Sequence, residues 1–196
     1  ELVELFDIKD VAASAAVFDR TKLEWLSHEY LKAMDGTRLA RLAAPFIEHE
    51  GAAESVEIRI ADRAWLGRVV DTLKERAKTL VELARLSLFY FKRPAYTHET
   101  AHTYLTPDGL RRLDVLIREL EALPAFDAGA IEGLYRRLTA ELGLKLVDLA
   151  QLTRVAVTGR TASPPLFGVL ELLGKGEALE RLRAAREFAG TGLREP

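Results

Sequence analysis

Residues Arg154 to Gly174 read Arg-Val-Ala-Val-Thr-Gly-Arg-Thr-Ala-Ser-Pro-Pro-Leu-Phe-Gly-Val-Leu-Glu-Leu-Leu-Gly. Arg154 precedes a short apolar run, Val155-Ala156-Val157, which Thr158-Gly159 breaks before Arg160. Ser163 ahead of Pro164 predicts a helix N-cap, with proline at the first helical position where a missing N–H is harmless. Leu166, Phe167, Val169, Leu170, Leu172 and Leu173 predict a short apolar helix that Gly174 can end. Two arginines therefore flank a helix start with free N–H groups and a positive dipole end. Such a start suits an anion or the polar edge of a nucleobase. The same residues also fit an ordinary loop with two solvated arginines.

The rest of the chain is punctuated in the same way, with helical periodicity nearly throughout and no alternating strand pattern or internal repeat. Leu2, Leu5 and Phe6 fit one short helix, and residues 8–18 are small and irregular. Asp19, Asp62, Thr79 and Asp127 each precede a helical pattern, and Thr106-Pro107 caps another. Asp35-Gly36 ends one helix and Thr37 starts the next, which Pro45 should kink or shorten and Gly51 should close. Arg93-Pro94 is the clearest break, and a short helix follows around Thr97 to Leu105. Gly143 closes the helix opened by Asp127. Gly174-Lys175-Gly176 reads as a linker to a final helix with Leu179, Leu182 and Phe188. The expected fold is all-α, a bundle or cage of roughly nine to eleven helices in two subdomains.

The 196 residues can bury a sizeable core, and 48% hydrophobic with 30% charged residues is a soluble globular composition. No apolar run approaches the ~18 residues of a membrane span, and the acidic start Glu1-Leu2-Val3-Glu4-Leu5 is no signal peptide. Zero cysteines exclude disulfides and Cys-based zinc sites and are compatible with the cytoplasm, where the chain is expected as a monomer with no membrane partner. A net charge of −2 argues against broad nucleic-acid affinity, so any RNA binding must come from local basic patches. The missing first Met suggests a fragment.

One motif points to other chemistry. His98-Glu99-Thr100-Ala101-His102 fits His-Glu-x-x-His, which on a helix sets two imidazoles one turn apart for zinc, with Glu99 as general base. A third ligand is hard to find. Glu119 and Glu121 are expected on an exposed helix face, and His28 and His49 lie far upstream. The bland reading is a solvated turn of helix after a break. A zinc metallohydrolase using His98 and His102, or a non-catalytic helical scaffold, are the alternatives to an RNA-binding role. No Gly-x-Ser-x-Gly elbow, Walker-type phosphate loop or dinucleotide fingerprint occurs.

The quoted stretch, with Ser-Pro, Leu-Phe and Leu-Leu-Gly-Lys in register, resembles the C-terminal signature of bacterial glutamyl-tRNA synthetases. A second stretch does so independently. Phe6-Asp7-Ile8, then Ala15 to Leu26 (Ala-Ala-Val-Phe-Asp-Arg-Thr-Lys-Leu-Glu-Trp-Leu), then Tyr30-Leu31, is similar to the region after that family's catalytic core, with Ser27 where Asn is usual. The resemblance implies a stem-contact remnant over 1–36 and helical anticodon-binding subdomains over 37–93 and 94–196. It implies tRNA as partner, in a ligase that joins glutamate to tRNA using ATP. The family's ATP-binding motifs are absent, so the chain is expected to begin downstream of them. ATP and magnesium would belong to that missing catalytic part, with no cofactor, metal or catalytic residue in this fragment.

Carried residue by residue, the resemblance puts Arg154, Ser163, Pro164 and Leu166 at the base-reading surface. Unpaired loop bases are read there by stacking and by hydrogen bonds to their edges. Pro164 and Leu166 would form an apolar floor, although Leu166 suits core packing equally. Arg160 is added as a phosphate contact. Pro165 stands where the family has Gly, which hinders close approach of a base to the backbone. In some relatives an arginine near the junction of the two subdomains helps tell glutamate from glutamine tRNA. The nearest equivalents, Pro45 to Glu50, hold no arginine, so the parent would accept both tRNAs or discriminate through another residue. The basic residues Lys22, Arg38, Arg41, Arg59, Arg63, Arg68, Arg111, Arg112, Arg136 and Arg137 are expected mostly on solvated faces or in ion pairs, some along the tRNA stem.

Overall fold

The computed structural model describes residues 17–192 together with Asp7 and Lys9. The helix expected at Leu2–Phe6 and most of the irregular stretch at 8–18 lie outside the described residues. Among the described residues there are nine α-helices and no strand. They are α1 (Arg20–Ala33), α2 (Gly36–Ala53), α3 (Arg63–Leu73), α4 (Leu80–Ser87), α5 (His98–Tyr104), α6 (Pro107–Ala122), α7 (Ala128–Leu142), α8 (Leu146–Thr158) and α9 (Leu166–Gly192). Single 3-10 turns at Lys74–Arg76 and Leu88–Tyr90 extend α3 and α4.

Local chemistry sets most of the helix starts. The side chains of Asp19, Asp62, Thr79, Thr97, Thr106 and Asp127 each accept a hydrogen bond from the backbone N–H three residues on, worth about 1 kcal/mol apiece. Asp35 caps α2 in the same way, so α2 starts one residue earlier than expected. The stop expected at Gly51 fails: Gly51 lies inside α2, which runs on to Ala53. Pro45 lies inside it too. Pro45 faces solvent, where the unpaired Arg41 carbonyl can be hydrated, while Ala43 and Ile47 on the inner face are fully buried. Burial of that face, worth roughly 1.5–3 kcal/mol for an isoleucine alone, offsets the proline's cost of about 3 kcal/mol.

Two hydrophobic cores result. The first gathers Leu31 of α1, Leu39 and Ile47 of α2, Leu66 and Val70 of α3 and Leu83 of α4. The second gathers Leu113 and Leu116 of α6, Leu134 and Tyr135 of α7, Leu149 and Leu152 of α8 and Leu182 of α9. Helix α9 serves both. Val169 and Leu172 enter the first core, while Leu166 and Leu170 enter the second. At Gly174 (φ 76°, ψ 159°) the helix breaks and resumes at once in a new direction. The expected linker is therefore this single residue. Lys175, just past the break, donates to the Glu121 and Leu123 carbonyls at 2.7 and 2.9 Å. It thereby places a cation at the negative end of α6.

Candidate nucleic-acid interface

The apolar run Val155-Ala156-Val157 is the last turn of α8 rather than a separate segment. All three residues are buried in the helix whose inner face carries Leu149 and Leu152. Gly159 (φ 70°) ends α8, and its N–H bonds the Val155 carbonyl at 2.8 Å. An added Cβ there would lie 2.5 Å from the Ala95 carbonyl oxygen, so the loop from α4 to α5 packs directly on this glycine. The chain then folds back along α8, held by Gln151, whose side-chain amide donates to the Thr161 carbonyl at 2.7 Å.

Ser163 does not cap α9. The first helical bond runs from the Val169 N–H to the Pro165 carbonyl, which puts Pro165 at the cap and Leu166 first. Pro165 removes the N–H two residues on, one of the two that a cap at Ser163 could accept. The Ser163 hydroxyl instead donates to the Pro164 carbonyl at 2.8 Å and accepts from Arg154 Nη1. Arg154 Nη1 also reaches the Pro164 carbonyl at 3.0 Å and the Ser163 carbonyl at 3.3 Å, and Nε donates to Gln151 Oε1 at 3.3 Å. The guanidinium is thus clamped along two edges, while its Nη2 has no partner among the described residues.

Burial depresses the Arg154 pKa, and the charge of nearby Arg76 lowers it further. Arg76 is exposed at the end of the 3-10 turn after α3 and makes no ion pair among the described residues. Two cations from the two halves of the chain thus act on one another with no carboxylate paired to either. Neighbouring residues hold Arg76's turn to α1. Lys74 donates to the Met34 carbonyl at 3.0 Å, and His28 Nδ1, 2.8 Å from the Ala77 carbonyl, must be the donor there because a carbonyl only accepts. Sequence reading missed Arg76, since nothing local distinguishes it from other solvated arginines. The positions examined instead, Pro45 to Glu50, lie within α2, where Glu50 is ion-paired with Arg85 at 2.9 Å.

Arg154, Ser163 and Pro164 therefore come together. Pro164 is buried and Pro165 is the exposed proline of the turn. Leu166, only 4% exposed, packs into the second core, so its side chain offers no open floor. Arg160 is exposed at the far end of the turn, with no acidic partner among the described residues. Thr158 connects the two ends, donating to the Arg154 carbonyl at 2.7 Å and accepting from the Arg160 N–H at 3.1 Å. Of the scattered basic residues, Arg59, Arg68, Arg111, Arg112, Arg136 and Arg137 are ion-paired. The histidines at 98 and 102 fall on the short helix α5, where His102 is exposed. Among the described residues, no group of three or more His, Cys, Asp or Glu could hold a metal ion, and no helix is long and apolar enough to cross a membrane.

A family profile described as anticodon binding domain matches residues 38–186. Glutamate–tRNA ligase of Geobacter sulfurreducens is 40% identical over 186 residues, covering 94% of this chain and 39% of that protein. The glutamate–tRNA ligase of Geotalea uraniireducens is 37% identical over 193 residues, covering 98% of this chain and 40% of its own length. The chain thus spans about two fifths of these relatives. A crystal structure of a glutamate tRNA ligase from Elizabethkingia meningosepticum, in complex with its amino acid, superposes with a TM-score of 0.79. It does so at 21% identity, over 93% of this chain and 35% of that one. With a profile match over most of its length, the chain belongs to the anticodon binding domain family.

Proposed function

We propose that this chain recognises the anticodon loop of a tRNA and supplies specificity to a glutamate–tRNA ligase, which joins glutamate to tRNA at the expense of ATP. The observation that carries this reading is Arg154, a half-buried guanidinium fixed through Nε and Nη1 with Nη2 left over. A planar donor fork held in place suits the edge of an unstacked base. Arg76 deepens the reading. It stands where α1 and α3 meet the second half, within electrostatic reach of Arg154. It is the arginine best placed to read a second base and to separate glutamate from glutamine tRNA. Work in the cytoplasm as a monomer is part of the same proposal.

The test is binding of the chain to two stem-loop RNAs carrying a glutamate or a glutamine anticodon. Arg154→Ala should weaken binding to the glutamate loop by roughly 1–3 kcal/mol, about fivefold to 150-fold. Arg76→Ala should narrow the gap between the two loops. A wild-type chain that binds neither loop better than a scrambled one would sink the proposal and favour a scaffold.

A further inference from the structure

A cavity of about 130 Å³ opens between the loop after α4 and the end of α8. Lys92, Arg93 and Arg160 line it, together with Ala95, Thr158 and Gly159, and no aspartate or glutamate is among the lining residues. The acids that pair with two of these cations approach from outside the cavity. Glu54 meets Lys92, and Glu180 reaches Arg93 at 3.6 Å, a loose contact with both side chains more than half exposed. Such a pair contributes little. Arg160 has no acidic partner among the described residues. Behind the wall, the buried Arg181 donates to the carbonyls of Phe89, which also lines the cavity, and Val157, at 2.5 and 2.9 Å. It offsets the negative end of α8, which would otherwise repel an anion here. Gly159 holds the back of the cavity closed against Ala95.

We infer that this cavity seats a backbone phosphodiester of the RNA whose bases meet Arg154. The inference rests on the anticodon-loop reading and adds a site to it. Thr158, bonded to both the Arg154 carbonyl and the Arg160 N–H, lines the cavity, so the two sites share a wall. Phosphate contacts set the position of a strand and base contacts set its identity. The cavity supplies the first and the Arg154 turn the second.

The experiment measures affinity of the chain for the glutamate-anticodon stem-loop and for a scrambled-loop control across a series of KCl concentrations. Arg160→Ala and Arg93→Ala should each weaken both RNAs by the same factor. Each should also reduce the slope of log K against log salt, and the two together by about 0.7, the value for one phosphate of a single strand. Arg160→Lys, which keeps the charge, should keep the slope. A slope unchanged in both alanine variants, or a loss confined to the cognate loop, would overturn the inference while leaving the anticodon reading intact. Titration with inorganic phosphate at constant ionic strength separates the other source. Arg160-dependent phosphate binding with an unchanged RNA slope would assign the cavity to a free anion and also overturn it. Failure of the anticodon reading itself shows differently, as a wild-type chain with no preference for the cognate loop.

Discussion

Tyr90, Tyr96 and Tyr135 carry their hydroxyls into the interior, and burial raises the pKa of each. Tyr90 is pushed up to about 12 despite its contact with Thr72, and Tyr96 and Tyr135 shift in the same direction. Their hydroxyls are matched, Tyr96 donating to the Ala156 carbonyl and Tyr135 to Thr153 Oγ1, both at 2.8 Å. The folded chain holds these protons more tightly than the unfolded chain, where tyrosine titrates near 10. The associated stability is fully present below about pH 10 and falls as pH rises toward the folded values. Unfolding midpoints in urea should thus drop steeply above about pH 10, and ionisation followed by ultraviolet absorbance should coincide with unfolding. Free titration of all five tyrosines in a still folded chain would contradict this. Arg154 is the opposite case. Burial lowers its pKa, yet a guanidinium stays charged, so its depressed value reports desolvation rather than a switch.

Helix α9 shows why some elements are readable in sequence and others are not. The break at Gly174 is readable because φ 76° with ψ 159° is accessible essentially only to glycine. Nothing lies within 4 Å of an added Cβ there, so Gly174→Ala should fail through backbone strain alone. The expected loss is about 1–3 kcal/mol, measured as a lower urea midpoint, and an unchanged midpoint would mean that the helix can straighten without penalty. The caps at Asp19, Asp62, Thr79 and Asp127 are readable for the same local reason. The start of α9 is not, because Ser163 satisfies the usual pattern while Pro165 removes one donor it could use, and an arginine of α8 claims its hydroxyl instead. Leu166 was ambiguous in sequence because an apolar residue after a turn serves a core or a ligand equally well. Arg76 could not be found at all, since its meaning depends on Arg154, far along the chain.

The molecule as a whole is joined where its two cores meet, and α9 supplies most of the joint. Trp65 of the first core donates through Nε1 to the Leu172 carbonyl at 2.7 Å. Glu171 accepts from Arg68 of α3 and from the Ala128 N–H that opens α7, at 3.4 and 3.0 Å. Most consequential is Arg181, only 1% exposed. It donates to Phe89 and Tyr90 carbonyls at the end of the first half and to the Val157 carbonyl at the end of α8, with Glu177 at 2.6 Å as counter-charge. Helix ends leave carbonyls without partners, and one guanidinium here serves an end from each core. Periodicity alone would have put this residue on a solvated face. Arg181→Met removes the donors and leaves buried carbonyls unpaired, a loss of roughly 1–3 kcal/mol for each, while Glu177, 38% exposed, is left to solvent. Arg181→Lys should recover only part of it, because an ammonium lacks the planar fork. The two cores should also lose their cooperativity. Both tryptophans, Trp25 and Trp65, lie in the first half, so their fluorescence reports that half while far-ultraviolet circular dichroism reports all the helices. In the wild type the two signals should share one urea midpoint, and in Arg181→Met they should separate. Midpoints that fall together would show that Trp65, Glu171 and the apolar residues of α9 suffice to couple the halves. If they separate, the halves that carry Arg76 and Arg154 are held together by a residue that touches neither.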